Sequence, residues 1–380
     1  MPEESSPPVL YGVPHSLYTG KARSYLRNQG IAYIERPPSH PEFATHIAPR
    51  LGRSIIPVLQ TPDGAIVQDT IDIIDHFERR GVPYPAYPAT PLQRVLAVII
   101  EYFGCQAMRK HAMHYRWSYL ERQRAFMWHA FASGAGPAVA EKVMGRMNAY
   151  LPMLGVNDET VPHIERSFET LLDTLDAHFA VMPYLLGGRP SIADYGLIAP
   201  LFAHLGRDPV PAAIMKTRAP RVHRWVERMN APGLDVVEYP DSTPAFVADD
   251  AIPASLEPFL TYMAEDMFPE LADKLAFFDA WVAAQEPADG TPVADKPHRR
   301  QLGAVHTAYR GVPIEVGAEP YLLYVLQRAV DTLDALSDAE ARRVRGELRR
   351  RGLERAVPTG RDYRVGRSDN IEVWRRDRAS

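Results

Sequence analysis

Apolar residues open the chain in short runs and later settle into helical spacing. Val9-Leu10-Tyr11 reads as a short strand. A loop, Gly12 to Ser16, leads into a helical face of Ala22, Tyr25, Leu26 and Gln29, and Gly30 stands where a glycine would end it. Ile31-Ala32-Tyr33-Ile34 is the expected second strand, so the order strand, helix, strand predicts a parallel pair. Residues 36–53 carry Pro37, Pro38, Pro41 and Pro49 and read as loop. Ile55-Ile56-Pro57-Val58-Leu59 and Ala65-Ile66-Val67 flank the turn Thr61-Pro62-Asp63-Gly64, a hairpin signal. Pro57 cannot donate to a ladder, which suits an edge strand or a cis bond at a ligand site. Thr70 to Arg80 is helical, with Ile71, Ile74 and Phe77 inward and Gly81 as its stop.

Residues 82–88 form a stiff proline-rich stretch, and beyond it the strand pattern ceases. Helical spacing is sharpest at 160–179, through Ile164, Phe168, Leu171, Leu172, Leu175 and Phe179. Ser191 and Asp194 predict a capping box, and Val222, Trp225, Val226 and Met229 a last amphipathic face. Residues 231–257 read as acidic loop. Helical patterns resume at 258–285 and 320–336, where Trp281, Tyr321 and Tyr324 are expected to form a core of their own. Ser337 and Glu340 open an Arg-rich helix ended by Gly352, and residues 363–365 and 371–374 predict a small hairpin.

Composition narrows the class. The chain has 380 residues, 46% hydrophobic and 24% charged, with a net charge of -4; it predicts a soluble, multidomain protein and argues against a nucleic-acid coat. Residues 341–380 hold 13 Arg against 6 acidic residues, but the interspersed glutamates read as a solvated face. No apolar run approaches the ~20 residues of a membrane span, and MPEESSPPVL lacks a secretory pattern. A cytoplasmic protein is expected. The single cysteine, Cys105, excludes an intrachain disulfide and a Cys-rich zinc site. His111 and His114 lack a partner carboxylate motif, so no metal is expected.

Four segments together carry a resemblance over residues 9–230. They are Ser16-Leu17-Tyr18-Thr19-Gly20-Lys21-Ala22-Arg23, Ile55-Ile56-Pro57-Val58-Leu59, Gln68-Asp69-Thr70-Ile71-Asp72-Ile73, and Gly187-Gly188-Arg189-Pro190-Ser191-Ile192-Ala193-Asp194. In this order the sequence resembles the cytosolic glutathione transferase superfamily, bacterial-type, with an unusual C-terminal extension. The resemblance implies an α/β thioredoxin-like N-terminal domain (βαβ-ββα, 7–82), a linker (83–90) and an all-α domain (91–232). A mainly helical extension of unassigned role (251–380) follows.

The resemblance also implies a site. Ser16 or Tyr18 would activate a thiol at the start of the first helix. Ionising a thiol of pKa about 8.5 two units early needs about 2.7 kcal/mol. A hydroxyl bond to the thiolate contributes ~1.5–3 kcal/mol and a helix N-terminus ~0.3–1 kcal/mol, so no metal or base is required. Ser16 on its own account reads equally as a helix cap. Ile56 and cis Pro57 would pair the cysteinyl backbone of glutathione, and Asp69 and Thr70 its γ-glutamyl end. The family's lysine two residues before the cis proline is Ile55 here, leaving Arg53 as the nearest cation. Met108, His111 and Tyr115 would line a second-substrate pocket, with core packing as the plainer reading. The expected function is a glutathione S-transferase-like enzyme, a homodimer acting on a small hydrophobic electrophile with glutathione as co-substrate. The alternative is a non-catalytic protein of this fold that binds a small ligand or a protein partner.

Overall fold

The structure, a computed structural model, describes residues 6–296 and 298–376. The readings of the extreme N-terminus and of residues 377–380 lie outside the described residues. Strands β1 (Val9–Tyr11), β2 (Ile34–Arg36), β3 (Val58–Gln60) and β4 (Ile66–Gln68) form one sheet in the order β2-β1-β3-β4. β1 and β2 are parallel; β1–β3 and β3–β4 are antiparallel. Period-two alternation divides the side chains between the faces. Leu10 and Leu59 pack with Ala22, Tyr25 and Leu26 of α1 (Leu17–Asn28) and Ile71 and Ile74 of α3 (Thr70–Glu78). Tyr11 and Val58 turn to the other face, against Phe43, Ile47 and Leu51.

That second face corrects the loop reading of 36–53. Phe43–Ile47 forms a π-helical turn and Ala48–Leu51 a short helix, α2. Their apolar residues recur every four positions and cover the sheet. The second strand begins at Ile34, not Ile31. The third begins only at Val58, after the cis Ile56–Pro57 bond, because proline has no N–H for the ladder. β3 is a central strand, so the edge reading of Pro57 fails.

After the proline-rich stretch come α4 (Pro91–Tyr102), a π-helical turn (Phe103–Ala107), α5 (Arg109–Trp117), α6 (Leu120–Ala135) and α7 (Pro137–Asn148). They are followed by α8 (Val161–His178), α9 (Ile192–Ala203), α10 (Pro209–Arg218) and α11 (Pro220–Arg228). α9 is apolar nearly all round and buried between α1 and α4. A Cβ on Gly104 would stand 2.4 Å from the Gly196 backbone, so glycines permit this close crossing. The capping box is present: the Asp194 carboxylate accepts from Ser191 N–H and Oγ, Leu185 N–H and Trp225 Nε1.

The remaining chain contains α12 (Glu257–Met267), α13 (Glu270–Gln285), a hairpin of β5 (Gly303–Tyr309) and β6 (Val312–Ala318), α14 (Tyr321–Asp334), α15 (Asp338–Arg350) and a hairpin of β7 (Tyr363–Ser368) and β8 (Ile371–Arg376). It is not a separate body. α14 packs along α4, and one apolar cluster runs from Leu10 to Trp374. Trp281 stacks on Trp374 at 5.3 Å, an internal core as expected. Tyr321 and Tyr324 depart from that expectation, because their hydroxyls reach back to Asp69 and Asp72 of the first domain. Among the described residues no helix is long and apolar enough to cross a membrane.

Candidate active site

Asp69 joins β4 to α3 with φ +91° and ψ 143°, a conformation normally reserved for glycine. Such a residue costs about 1–3 kcal/mol and persists where its surroundings hold it. Here they do. Asp69 Oδ1 accepts the Ile71 N–H at 2.9 Å, capping α3, and the Tyr321 hydroxyl at 2.8 Å. Arg367 Nη2 lies 3.4 Å from Oδ2. Burial would raise this carboxyl, but Arg367, the Ile71 N–H, Lys21 and Tyr321 together hold it below the ordinary aspartate range. One turn on, burial and the charge of Asp69 push Asp72 up to about 6.

Around Asp69 a cleft is lined by Tyr18, Arg53, Ile55, Ile56, Pro57, Gln68, Thr70 and Gln106, and by Arg299, Arg300, Glu319, Tyr321 and Glu372. The fold thus gathers Tyr18, Arg53, Ile56, Pro57, Asp69 and Thr70 from three separate segments. Ser16 is not among the lining residues; its Oγ accepts the Thr19 N–H at 3.3 Å and caps α1. The Tyr18 hydroxyl donates to the Cys105 carbonyl at 3.2 Å and accepts from Gln106 Nε2 at 3.3 Å. Both bonds are long for a phenol, so the hydroxyl can be redirected at low cost. Burial raises the Tyr18 pKa, against Arg109 and Arg300, and keeps it a proton donor.

Beneath the cleft, Lys21 and Glu101 form a fully buried ion pair at 2.5 Å. Cys105 lies alongside, and burial pushes its thiol up to about 12, so it stays protonated and a poor nucleophile. Arg53 does not reach for a ligand carboxylate: it donates to Glu372, the Asn370 carbonyl and Gln68. The interior room is about 50 Å³, space for a few waters, against roughly 300–1,000 Å³ for a drug-sized ligand pocket.

Met108, His111 and Tyr115 do not line this cleft. All three are buried: Met108 and Tyr115 in the main core, and His111 against Ser167 Oγ at 3.1 Å and the Tyr309 hydroxyl at 3.3 Å. The second-substrate reading is corrected on this point: Tyr309 of β5 and Asp266 of α12 close over His111, and Phe168 of α8 packs on Tyr115. Sequence reasoning missed Glu319, Tyr321, Arg367 and Glu372. They lie some 210 to 320 residues from their partners in the first two domains, as in the Tyr321–Asp69 pair, and no local motif marks them. Among the described residues no group of three or more His, Cys, Asp or Glu could hold a metal.

The family model described as Glutathione S-transferase, N-terminal domain matches residues 10–83, and Glutathione S-transferase, C-terminal domain matches residues 158–228. No curated protein matches the chain. Solved structures similar to it include a glutathione S-transferase from Xanthobacter autotrophicus (22% identity, 60% of this chain and 96% of that one, TM-score 0.37). Another is a glutathione transferase from Phanerochaete chrysosporium (16% identity, 61% and 100%, TM-score 0.42). A third, from Methylobacterium radiotolerans, was solved in complex with glutathione sulfonate (19% identity, 65% and 100%, TM-score 0.38). The two matched domains stand in family order on either side of the proline-rich stretch, so these segments of the chain are of the glutathione S-transferase superfamily.

Proposed function

We propose that the protein is a glutathione-transferase-type enzyme that binds a low-molecular-weight thiol in the Tyr18–Pro57–Thr70 cleft and ionises it for attack on an electrophile. The observation that carries this reading is the convergence of Tyr18, cis Pro57 and the N-terminus of α3 on one cleft. The Tyr18 hydroxyl turns from the Cys105 carbonyl to the sulfur. The thiol proton leaves to water, and the sulfur lone pair forms the new bond to carbon as the electrophile's leaving group departs with its electron pair. A hydroxyl bond to a charged acceptor supplies ~1.5–3 kcal/mol, enough to lower a thiol by one to two units. Glutathione is the thiol the family uses, and a homodimer is part of the reading.

The test is Tyr18→Phe in a thiol-conjugation assay on an aryl halide. Loss of one oriented donor to the reacting atom predicts a fall in kcat of about 10²-fold. A rate unchanged in this variant sinks the assignment, and Ser16→Ala then becomes the variant to examine. A second reading, a non-catalytic binding fold, is favoured by one observation: Asp69 and Arg53 are already paired within the protein. It predicts no turnover with any thiol.

A further inference from the structure

The extension does more than cover the cleft. The Arg367 guanidinium lies 3.4 Å from Asp69, 2.7 Å from Asp72 and 3.1 Å from Glu372, and the Tyr321 hydroxyl donates to Asp69 at 2.8 Å. A cation and a hydroxyl of the protein thus stand where Asp69 would pair the ammonium of a γ-glutamyl group. We propose that Arg367 and Tyr321 determine thiol specificity, so that the cleft selects a small carboxylate-bearing thiol without an ammonium group over glutathione. The inference rests on the thiol reading above.

Three observations support it. Every carboxylate at the cleft has an internal partner: Asp69 and Glu372 with Arg367, and Glu319 with Arg109 at 2.8 Å. An incoming ammonium would have to displace one of these cations. Arg300 is exposed at the mouth beside Arg299, which pairs with Asp295 at 3.2 Å, and Thr70 begins α3, so the remaining field favours an anion. Finally, the enclosed room of about 50 Å³ holds a thiol of a few heavy atoms, so most of a tripeptide would lie outside it.

The experiment is calorimetric titration of the full chain with mercaptoacetate and with glutathione, repeated on Arg367→Gln and Tyr321→Phe. Wild type is expected to bind mercaptoacetate at least about tenfold more tightly than glutathione. Each variant is expected to shift that ratio toward glutathione by about tenfold. Tyr321→Phe keeps every charge and the ring, so it decides the matter if Arg367→Gln does not fold. Glutathione binding as tightly as mercaptoacetate to wild type, or a ratio unchanged in Tyr321→Phe, overturns the proposal and leaves the thiol reading standing. Failure of both thiols to bind wild type and variants overturns both.

Discussion

Lys21 and Asp69 show how much single side chains carry here. Lys21 is fully buried and its ammonium is paired with Glu101 at 2.5 Å. Removing one partner of such a pair strands the other charge, which costs about 3–5 kcal/mol. Lys21→Met is therefore expected to lower the unfolding free energy measured in urea by that amount, and Lys21→Met with Glu101→Leu to recover much of it; a single-variant loss under about 1 kcal/mol contradicts the buried-charge account. Asp69 holds a strained backbone and the cap of α3 as well as its carboxylate. Its position in the motif was legible in the sequence, since an acidic residue before Thr70 reads as a cap or a ligand. Its partners were not legible, because Tyr321 and Arg367 meet it only through the folded extension.

Elements were readable where local periodicity decides them. The α8 stripe of Ile164, Phe168, Leu171 and Leu175 and both capping boxes lie where spacing places them. The hairpin of β7 and β8 also matches, with Asp369 and Asn370 at positive φ in its two-residue turn. The hairpin of β5 and β6 went unread, although Arg310-Gly311, both at positive φ, is the same kind of turn. Its strands mix Gly303, Ala304 and Pro313 into a weak alternation, and their burial depends on α13 and the Pro152–Leu154 turn. At this scale Asp194 invites a test. Its carboxylate serves Ser191, Leu185 and Trp225 together. Asp194→Ala strands buried donors at ~1–3 kcal/mol each, so thermal unfolding should show a loss of at least about 3 kcal/mol; an ordinary cap loss of about 1 kcal/mol would mean the donors find other partners.

The whole molecule joins a family scaffold to an extension through one core, and its pH response follows from groups buried at those joints. Burial pushes His111 and His178 down to about 4 and His204 well below its ordinary value. Unfolded histidine takes its proton near 6.5, so these residues stabilise the fold above that pH. Their contribution is lost as pH falls from about 6.5 toward 4, up to about 3 kcal/mol for each of the first two. Asp72 and Asp194, both pushed up to about 6, act in the opposite sense over a narrower span. With His204 added to the other two histidines, the melting temperature is expected to fall between pH 6.5 and 4, and a rise there would contradict the burial of these rings. The central claim is that the cleft ionises a thiol through Tyr18. The measurement that tests it most directly is a pH titration of thiolate absorbance with mercaptoacetate bound to wild type and to Tyr18→Phe. A bound thiol at least about one unit below its pKa in free solution in wild type, and back near that value in the variant, is the predicted result. A bound thiol that titrates as it does in free solution contradicts it.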